Sequence, residues 1–331
     1  MRVGLLGAGR IGAWHARFLG GHPLVGDLLI GDADPRRAEA LAGPLGARAD
    51  TPDTVLGAGL DAVVIATPTS THADLLARAC DAGVPAFCEK PVAPDLRTTL
   101  EIRDRAAKTG VPVHIGFQRR FDAGYAAARR AVQDGRLGAL HRVHLVTADP
   151  GPPPAEYVRT SGGMFRDCHI HDFDILRWVT GREVESVTAV GANRGDAYFA
   201  VAGDVDTSAA VLVMDDGTIA TLQGSRYNGA GYDVRMELSG TAGTWVVGLD
   251  ERAALRSAEP GVDWPSGDAW ADFWERFEPA YASEIGTFLE MAKGNAPSPC
   301  TVDEALEAFL IAEAATLSLH EGRRVALAEL R

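Results

Sequence analysis

Lys90 is one of only three lysines among the 32 basic residues of this 331-residue chain; the rest are arginines. A lysine can release its proton inside a protein site and arginine effectively cannot, so each lysine raises the question of its purpose. Lys90 stands in Cys88-Glu89-Lys90-Pro91 at the end of an expected strand. Doubly wound folds place their ligands at that edge. Pro91 permits a cis peptide there. Read alone, the stretch fits a surface lysine at a strand end equally well.

A second stretch, Gly162-Gly163-Met164-Phe165-Arg166-Asp167-Cys168-His169-Ile170-His171-Asp172-Phe173-Asp174, sets Asp167 and His171 four residues apart. On one helix they share a face, so the carboxylate can orient the imidazole and stabilise its protonated form. His171 then suits a general base. Asp174 lies near it at i+3, whereas His169 and Asp172 point elsewhere. Cys168, His169, His171 and Asp172 invite a metal reading, but neighbouring residues on a helix diverge by about 100° and do not converge on one ion, so no metal is expected. A purely structural helix cap is the other reading of this stretch.

Gly7-Ala8-Gly9-Arg10-Ile11-Gly12 follows a short apolar strand and opens a helix, the arrangement that seats a pyrophosphate on a helix N-terminus. Asp32 ends the next strand 20 residues after Gly12. A carboxylate there accepts hydrogen bonds from an adenine-ribose hydroxyl and repels a 2′-phosphate. The expected cofactor is therefore NAD rather than NADP, with Arg36 and Arg37 close enough to reach a phosphate only if their loop turns inward.

The elements needed to hold these residues can be read from periodicity. Residues 1–117 alternate strands (Val3 to Leu6, Leu28 to Ile30, Ala62 to Ala66, Pro85 to Cys88, Val111 to Ile115) with helices, which predicts a doubly wound parallel sheet of Rossmann type. Residues 118–331 change character, with a helix from about 121 to 133, a strand over His141 to Ala148, and one helix from about Met164 to Thr180. Strands then dominate up to Leu238, with Asp215-Asp216-Gly217 as a hairpin turn. The second domain is expected to be α+β with a large, mostly antiparallel open sheet. Two more helices follow, near Asp272 to Met291 and Thr301 to His320.

Composition narrows the classes. A net charge of −13 and an isoelectric point near 5.1 argue against a nucleic-acid partner. No apolar run approaches 18 residues and the N-terminus lacks a signal-peptide core, so a cytoplasmic protein without a membrane partner is expected. Four cysteines without a C-x-x-C pair read as reduced thiols.

Taken together, these motifs resemble the Gfo/Idh/MocA oxidoreductase family, and within it the inositol 2-dehydrogenase branch, over nearly the whole chain. Besides the segments above, the resemblance rests on Ala66-Thr67-Pro68-Thr69-Ser70-Thr71-His72, Gly116 to Asp122, Gly203 to Thr207, Ser225-Arg226 and Gly231 to Glu237. It implies that Lys90, Asp167 and His171 form a catalytic triad beside a nicotinamide, with either lysine or histidine as the proximal base. It implies that Thr67, Pro68, His72 and Glu89 line the cofactor, and that Arg120, Asp149 and Tyr232 hold substrate hydroxyls. Oxidation of a ring secondary alcohol of a cyclitol or sugar to a ketone is the implied reaction. An aldose dehydrogenase, an NAD-dependent glycosidase and a silent NAD-binding regulator are the alternatives. The family likeness further implies a homodimer or homotetramer formed through the open sheet, and a final helix, about 301–320, packed back on the first domain. The loop Arg226-Tyr227-Asn228-Gly229-Ala230 has no close match in inositol dehydrogenases, which leaves the polyol open.

Overall fold

Short aliphatic runs separated by helical stretches become a parallel sheet in the computed structural model, which describes all 331 residues. In chain order the elements are β1 (Arg2–Leu6), α1 (Arg10–Gly20), β2 (Asp27–Gly31), α2 (Pro35–Ala42), β3 (Arg48–Asp50), α3 (Pro52–Leu56), β4 (Ala62–Ile65), α4 (His72–Asp81), β5 (Ala86–Glu89), α5 (Leu96–Thr109) and β6 (Val113–Gly116). The six strands pair in parallel in the order β3-β2-β1-β4-β5-β6. Side chains of Asp34, Thr51 and Asp95 accept hydrogen bonds from first-turn N–H groups of α2, α3 and α5, and Pro35 and Pro52 occupy first helical positions where no N–H is needed. The strand β3 was not expected. Its three residues, Arg-Ala-Asp, carry no apolar signal and are held by backbone pairing to β2.

The second set of elements comprises α6 (Ala123–Gln133), β7 (Leu140–Ala148), α7 (Ala155–Val158), α8 (Met164–Asp167), α9 (Ile170–Thr180), β8 (Val184–Ala192), α10 (Tyr198–Val201), β9 (Thr207–Met214), β10 (Ile219–Ser225), β11 (Asp233–Gly240), β12 (Gly243–Val247), α11 (Phe273–Ala292), α12 (Val302–Glu321) and β13 (Val325–Ala326). A seven-stranded sheet runs β12-β11-β7-β10-β9-β8-β13. All neighbours are antiparallel except β7 and β10. The expected α/β class, a Rossmann sheet followed by a mostly antiparallel one, is what the chain forms.

Two expectations need correction. The helix expected from 164 to 180 is two helices. The N–H groups of Cys168 and His169 both donate to the Met164 carbonyl, and the His171 N–H reaches back only to the Cys168 carbonyl, which breaks the regular i to i−4 ladder between Asp167 and Ile170. The C-terminal segment also divides differently. Contacts group Met1–Gln118 with Pro279–Glu307, and Arg119–Glu278 with Ala308–Arg331. The second half of α11 is thus the main helical addition to the first unit, where Ile285, Phe288 and Leu289 join Leu5, Leu19, Ile30 and Phe87 in one buried core. Most of α12 belongs with the second unit, where the Ala189 N–H of β8 donates to the Ser318 hydroxyl.

Candidate active site

In the first unit the strand order turns at β1 and β4, and the C-terminal ends of these strands carry Gly7–Gly12 and Ala66–His72. Open α/β sheets bind ligands at this switch point. Gly7 sits at φ +100°, and a Cβ there would lie 2.5 Å from the Ala66 carbonyl oxygen; at Gly12 it would lie 1.8 Å from that of Gly7. Neither position admits a side chain. Gly9 differs, because a Cβ there would meet nothing within 4 Å. Gly9 also precedes α1 without offering a side-chain acceptor to its first N–H groups. Open space against an uncapped helix start fits a pyrophosphate, which supplies acceptors and meets the positive end of the helix dipole. Arg10 and Ile11 are the first two residues of that helix.

Asp32, just past β2, accepts from the N–H groups of Ala8 at 2.7 Å and Asp34 at 2.8 Å. Those bonds tie the carboxylate to the glycine loop and leave lone pairs on both oxygens for a ribose hydroxyl. The residues present therefore fit the adenosine and pyrophosphate half of NAD.

In the loop after β4, the Thr67 hydroxyl and the Pro68 carbonyl both accept from Thr71. His72 is buried, its ring nitrogens 2.8 Å from the Pro91 carbonyl oxygen and 2.9 Å from that of Thr67. Rather than presenting its ring to a ligand, His72 joins the Thr67 loop to the Lys90-Pro91 turn, whose peptide bond is cis. Glu89 Oε1 lies 2.7 Å from Nε2 of His15, a fully buried residue of α1 that sequence reasoning passed over. Lys90 follows, half-buried, at the end of β5.

In the second unit the parallel pairing of β7 and β10 sets Ala148 opposite Ser225, so Asp149 and Arg226 leave the sheet side by side. The Arg226 guanidinium donates from Nη1 to Asp149 Oδ2 at 2.9 Å and from Nη2 to Asp167 Oδ2 at 2.8 Å. The Tyr157 hydroxyl on α7 donates to Asp167 Oδ1 at 2.7 Å. Burial opposes the Arg226 charge, but the neighbouring carboxylates of Asp167 and Asp149 outweigh it and hold the guanidinium protonated. Asp149 Oδ1 and the Tyr232 hydroxyl make no hydrogen bond within the protein. Burial pushes the Tyr232 phenol up, so it is neutral and able to donate.

Beside this group lies a second network. Asp172 Oδ1 accepts from Arg119 and, at 2.8 Å, from Thr147, while Oδ2 lies 2.8 Å from His169 Nδ1. His169 Nε2 in turn lies 2.8 Å from the Ser208 hydroxyl. Burial raises the Asp172 carboxyl, but the Arg119 charge and the His169 bond outweigh it and bring it to about 2. Arg120, expected to hold substrate hydroxyls, donates from Nε and Nη2 to Asp174 at 2.9 and 2.6 Å, and both residues are buried. Asp174 is thereby the partner of Arg120 and not an orienting group for His171. His171 sits half-buried in the first turn of α9, past the helix break that separates it from Asp167.

Sequence reasoning also missed Arg226 and Tyr157 as site residues. The signal for Arg226 was its place one residue past a strand, but its meaning depends on the β7–β10 register.

A dinucleotide-binding unit joined to a unit rich in buried polar and titratable groups fits an NAD-binding oxidoreductase. Comparison with known families agrees: residues 1–117 match an oxidoreductase family with an NAD-binding Rossmann fold, and residues 125–246 match the GFO/IDH/MocA C-terminal domain. The chain belongs to the Gfo/Idh/MocA oxidoreductase family. It is 38% identical over 329 residues to the inositol 2-dehydrogenase of Rhizobium meliloti strain 1021, covering 99% of each chain. It is 36% identical over 337 residues to the scyllo-inositol 2-dehydrogenase (NAD(+)) of Bacillus subtilis strain 168, covering 99% of this chain and 96% of that one. A crystal structure of scyllo-inositol dehydrogenase from Lactobacillus casei, with bound NAD(H) and scyllo-inositol, matches with a TM-score of 0.89 at 27% identity over 99% of both chains. No helix of the chain is long and apolar enough to cross a membrane.

Proposed function

We propose that this protein oxidises a ring secondary hydroxyl of an inositol or a closely related cyclitol to the ketone, with NAD in preference to NADP. The observation that carries this reading is the polar surface around Asp167: Asp149 Oδ1 and the Tyr232 hydroxyl lack protein partners, as groups that bind substrate hydroxyls must. The full-length likeness to inositol dehydrogenases supports it. The bound nicotinamide supplies the acceptor for the hydride that leaves the ring carbon. Lys90 donates a hydrogen bond to the reacting oxygen and stabilises its developing negative charge. His171 takes the hydroxyl proton, directly or through Lys90, and Asp167 offsets the charge the imidazole acquires. Asp32 selects NAD, since a 2′-phosphate would meet its carboxylate. Nearby Arg37 lies 3.8 Å from Asp34, facing its own loop.

The test is NADH formation by the purified protein with NAD, then NADP, across myo-, scyllo- and chiro-inositol and common aldoses. Fast reduction of NAD with one inositol is expected. Lys90→Ala should lower kcat by about 10²- to 10⁴-fold while NAD affinity is retained. Turnover confined to aldoses, preference for NADP, or an active Lys90→Ala variant would overturn the corresponding part of the assignment.

The open face of the second sheet exposes Val190, Val211 and Ile219 on β8, β9 and β10. We infer that a second copy of the chain covers this apolar face. Light scattering should report a dimer or tetramer, and Val211→Glu should dissociate it; a wild-type monomer would sink the inference.

A further inference from the structure

We propose that His15 is a positioning residue for the nicotinamide half of NAD: from the helix that seats the pyrophosphate it holds one oxygen of Glu89, leaving the other as a fixed acceptor for the cofactor. The proposal rests on the reading of Glu89 as a cofactor-lining residue, and it adds the group that sets Glu89 in place. His15 lies in α1, five residues after Arg10 opens that helix, and its ring is fully buried. Nε2 lies 2.7 Å from Glu89 Oε1, while Nδ1 is buried without a hydrogen bond. A carboxylate only accepts, so the geometry assigns the imidazole proton to Nε2. Nδ1 is then a bare lone pair within aromatic packing. The rings of Phe87 and Tyr281 meet the imidazole edge-on, at 5.2 and 6.2 Å between centroids, and fix its plane.

Glu89 is seated from the other side by a missing side chain. Gly116 on β6 pairs with Glu89 in the sheet, and a Cβ there would lie 3.3 Å from Glu89 Oε2 and 2.8 Å from Phe87 Cζ. Only glycine leaves that room. Oε2 itself makes no hydrogen bond within the protein, and the Glu89 side chain is 14% exposed. It stands at the C-terminal end of β5, the same edge of the sheet that carries the glycine loop. An acceptor there suits the donors of the nicotinamide half, a carboxamide N–H or a ribose hydroxyl, and repels the phosphates. The first turn of α1 thus faces the pyrophosphate and His15, about one and a half turns further on, sets Glu89. One rigid helix keeps the two halves of the cofactor site in register.

Binding separates this role from a purely structural one. NADH carries both halves of the cofactor and ADP only the half that the glycine loop seats, and each can be titrated calorimetrically without substrate. His15→Phe keeps a ring in the buried site and removes the donor; it should weaken NADH about 3- to 10-fold and leave ADP unchanged. His15→Gln, whose amide nitrogen still donates, should recover part of that loss. In a Glu89→Ala background, where the acceptor is already gone, His15→Phe should weaken NADH no further. Equal weakening of NADH and ADP would mean that α1 has merely shifted, and would overturn the proposal. Additive losses in the double variant would do the same, as would normal NADH binding by folded His15→Phe when Glu89→Ala binds poorly. Normal NADH binding by Glu89→Ala would instead remove the cofactor-lining reading of Glu89, and the proposal with it. The wild type gives a test that does not depend on a folded phenylalanine variant. In ¹⁵N-histidine-labelled protein in mildly alkaline buffer, the His15 ring, assigned by its absence from His15→Gln, should show a protonated Nε2 and a bare Nδ1; the opposite tautomer would overturn the proposal.

Discussion

Two ion networks lie side by side in the second unit, on the stretch from α8 to α9, and they use the same side-chain types to different ends. In the first, Arg119, Asp172, His169, Thr147 and Ser208 use both Asp172 oxygens and both His169 nitrogens, and every member is buried. In the second, Arg226, Asp167, Asp149 and Tyr157 leave Asp149 Oδ1 open, and Tyr157 is exposed. The first network leaves only the buried Arg119 Nε unpaired and has no acceptor to offer a ligand, so it serves the fold, whereas one with acceptors to spare can bind something else. Proximity to a sequence motif does not separate the two. Hydrogen-bonding capacity left over does.

The comparison is tested hardest by exchanging the effects of its two aspartates. Asp172→Asn leaves Arg119 buried without its counter-charge and should cost about 3–5 kcal/mol of stability, read by denaturant unfolding, with kcat of the folded protein preserved. The same side chain gives the wild type an acid limb. Its folded carboxyl sits at about 2, below the ordinary 3.8. Its stabilisation, about 2 kcal/mol, is thus complete above the ordinary value and is lost as pH falls from there toward 2. That limb should be missing in Asp172→Asn. Asp167→Asn should do the reverse, lowering kcat about 100-fold while costing less than about 1.5 kcal/mol of stability, because Arg226 keeps Asp149. If Asp172→Asn destroyed catalysis in folded protein, or Asp167→Asn chiefly unfolded it, the division between the networks would be wrong.

The same contrast explains what could be read from the sequence. The first unit's site is made largely by backbone, so glycine spacing after a strand declares it: Gly7 and Gly12 admit no Cβ, and Gly9 leaves room for a ligand. Local pattern suffices where the local chain makes the site. In the second unit the partners are distant in sequence, 77 residues apart for Arg226 with Asp149 and 54 for Arg120 with Asp174. No spacing rule links them. The first pair is set by strand register and the second by the contact of the segment before α6 with α9. The family likeness offers Arg120 to substrate hydroxyls, and what the sequence does not show is that Asp174 takes two nitrogens of its fork. The helix break at Cys168–His169 was also invisible. It comes from a bifurcated bond to the Met164 carbonyl while the His169 ring is anchored to Asp172 and Ser208, none of which alters the helical periodicity.

Tyr157 offers the finest test, because it belongs to the open network at its exposed edge. Its hydroxyl donates to Oδ1 of the Asp167 carboxylate, whose Oδ2 accepts from the Arg226 fork. The bond joins an exposed tyrosine to a buried carboxylate, so Tyr157→Phe should lose no more than about 1.5 kcal/mol of stability. If Asp167 needs both donors to face the imidazole, kcat should fall about three- to tenfold with KM little changed, equivalent to about 0.7–1.4 kcal/mol in the transition state. A loss as deep as that of Asp167→Asn would make Tyr157 a proton-transfer group in its own right. An unchanged kcat would mean that Asp167 is oriented without Tyr157, and the open network would then contract to the three charged residues.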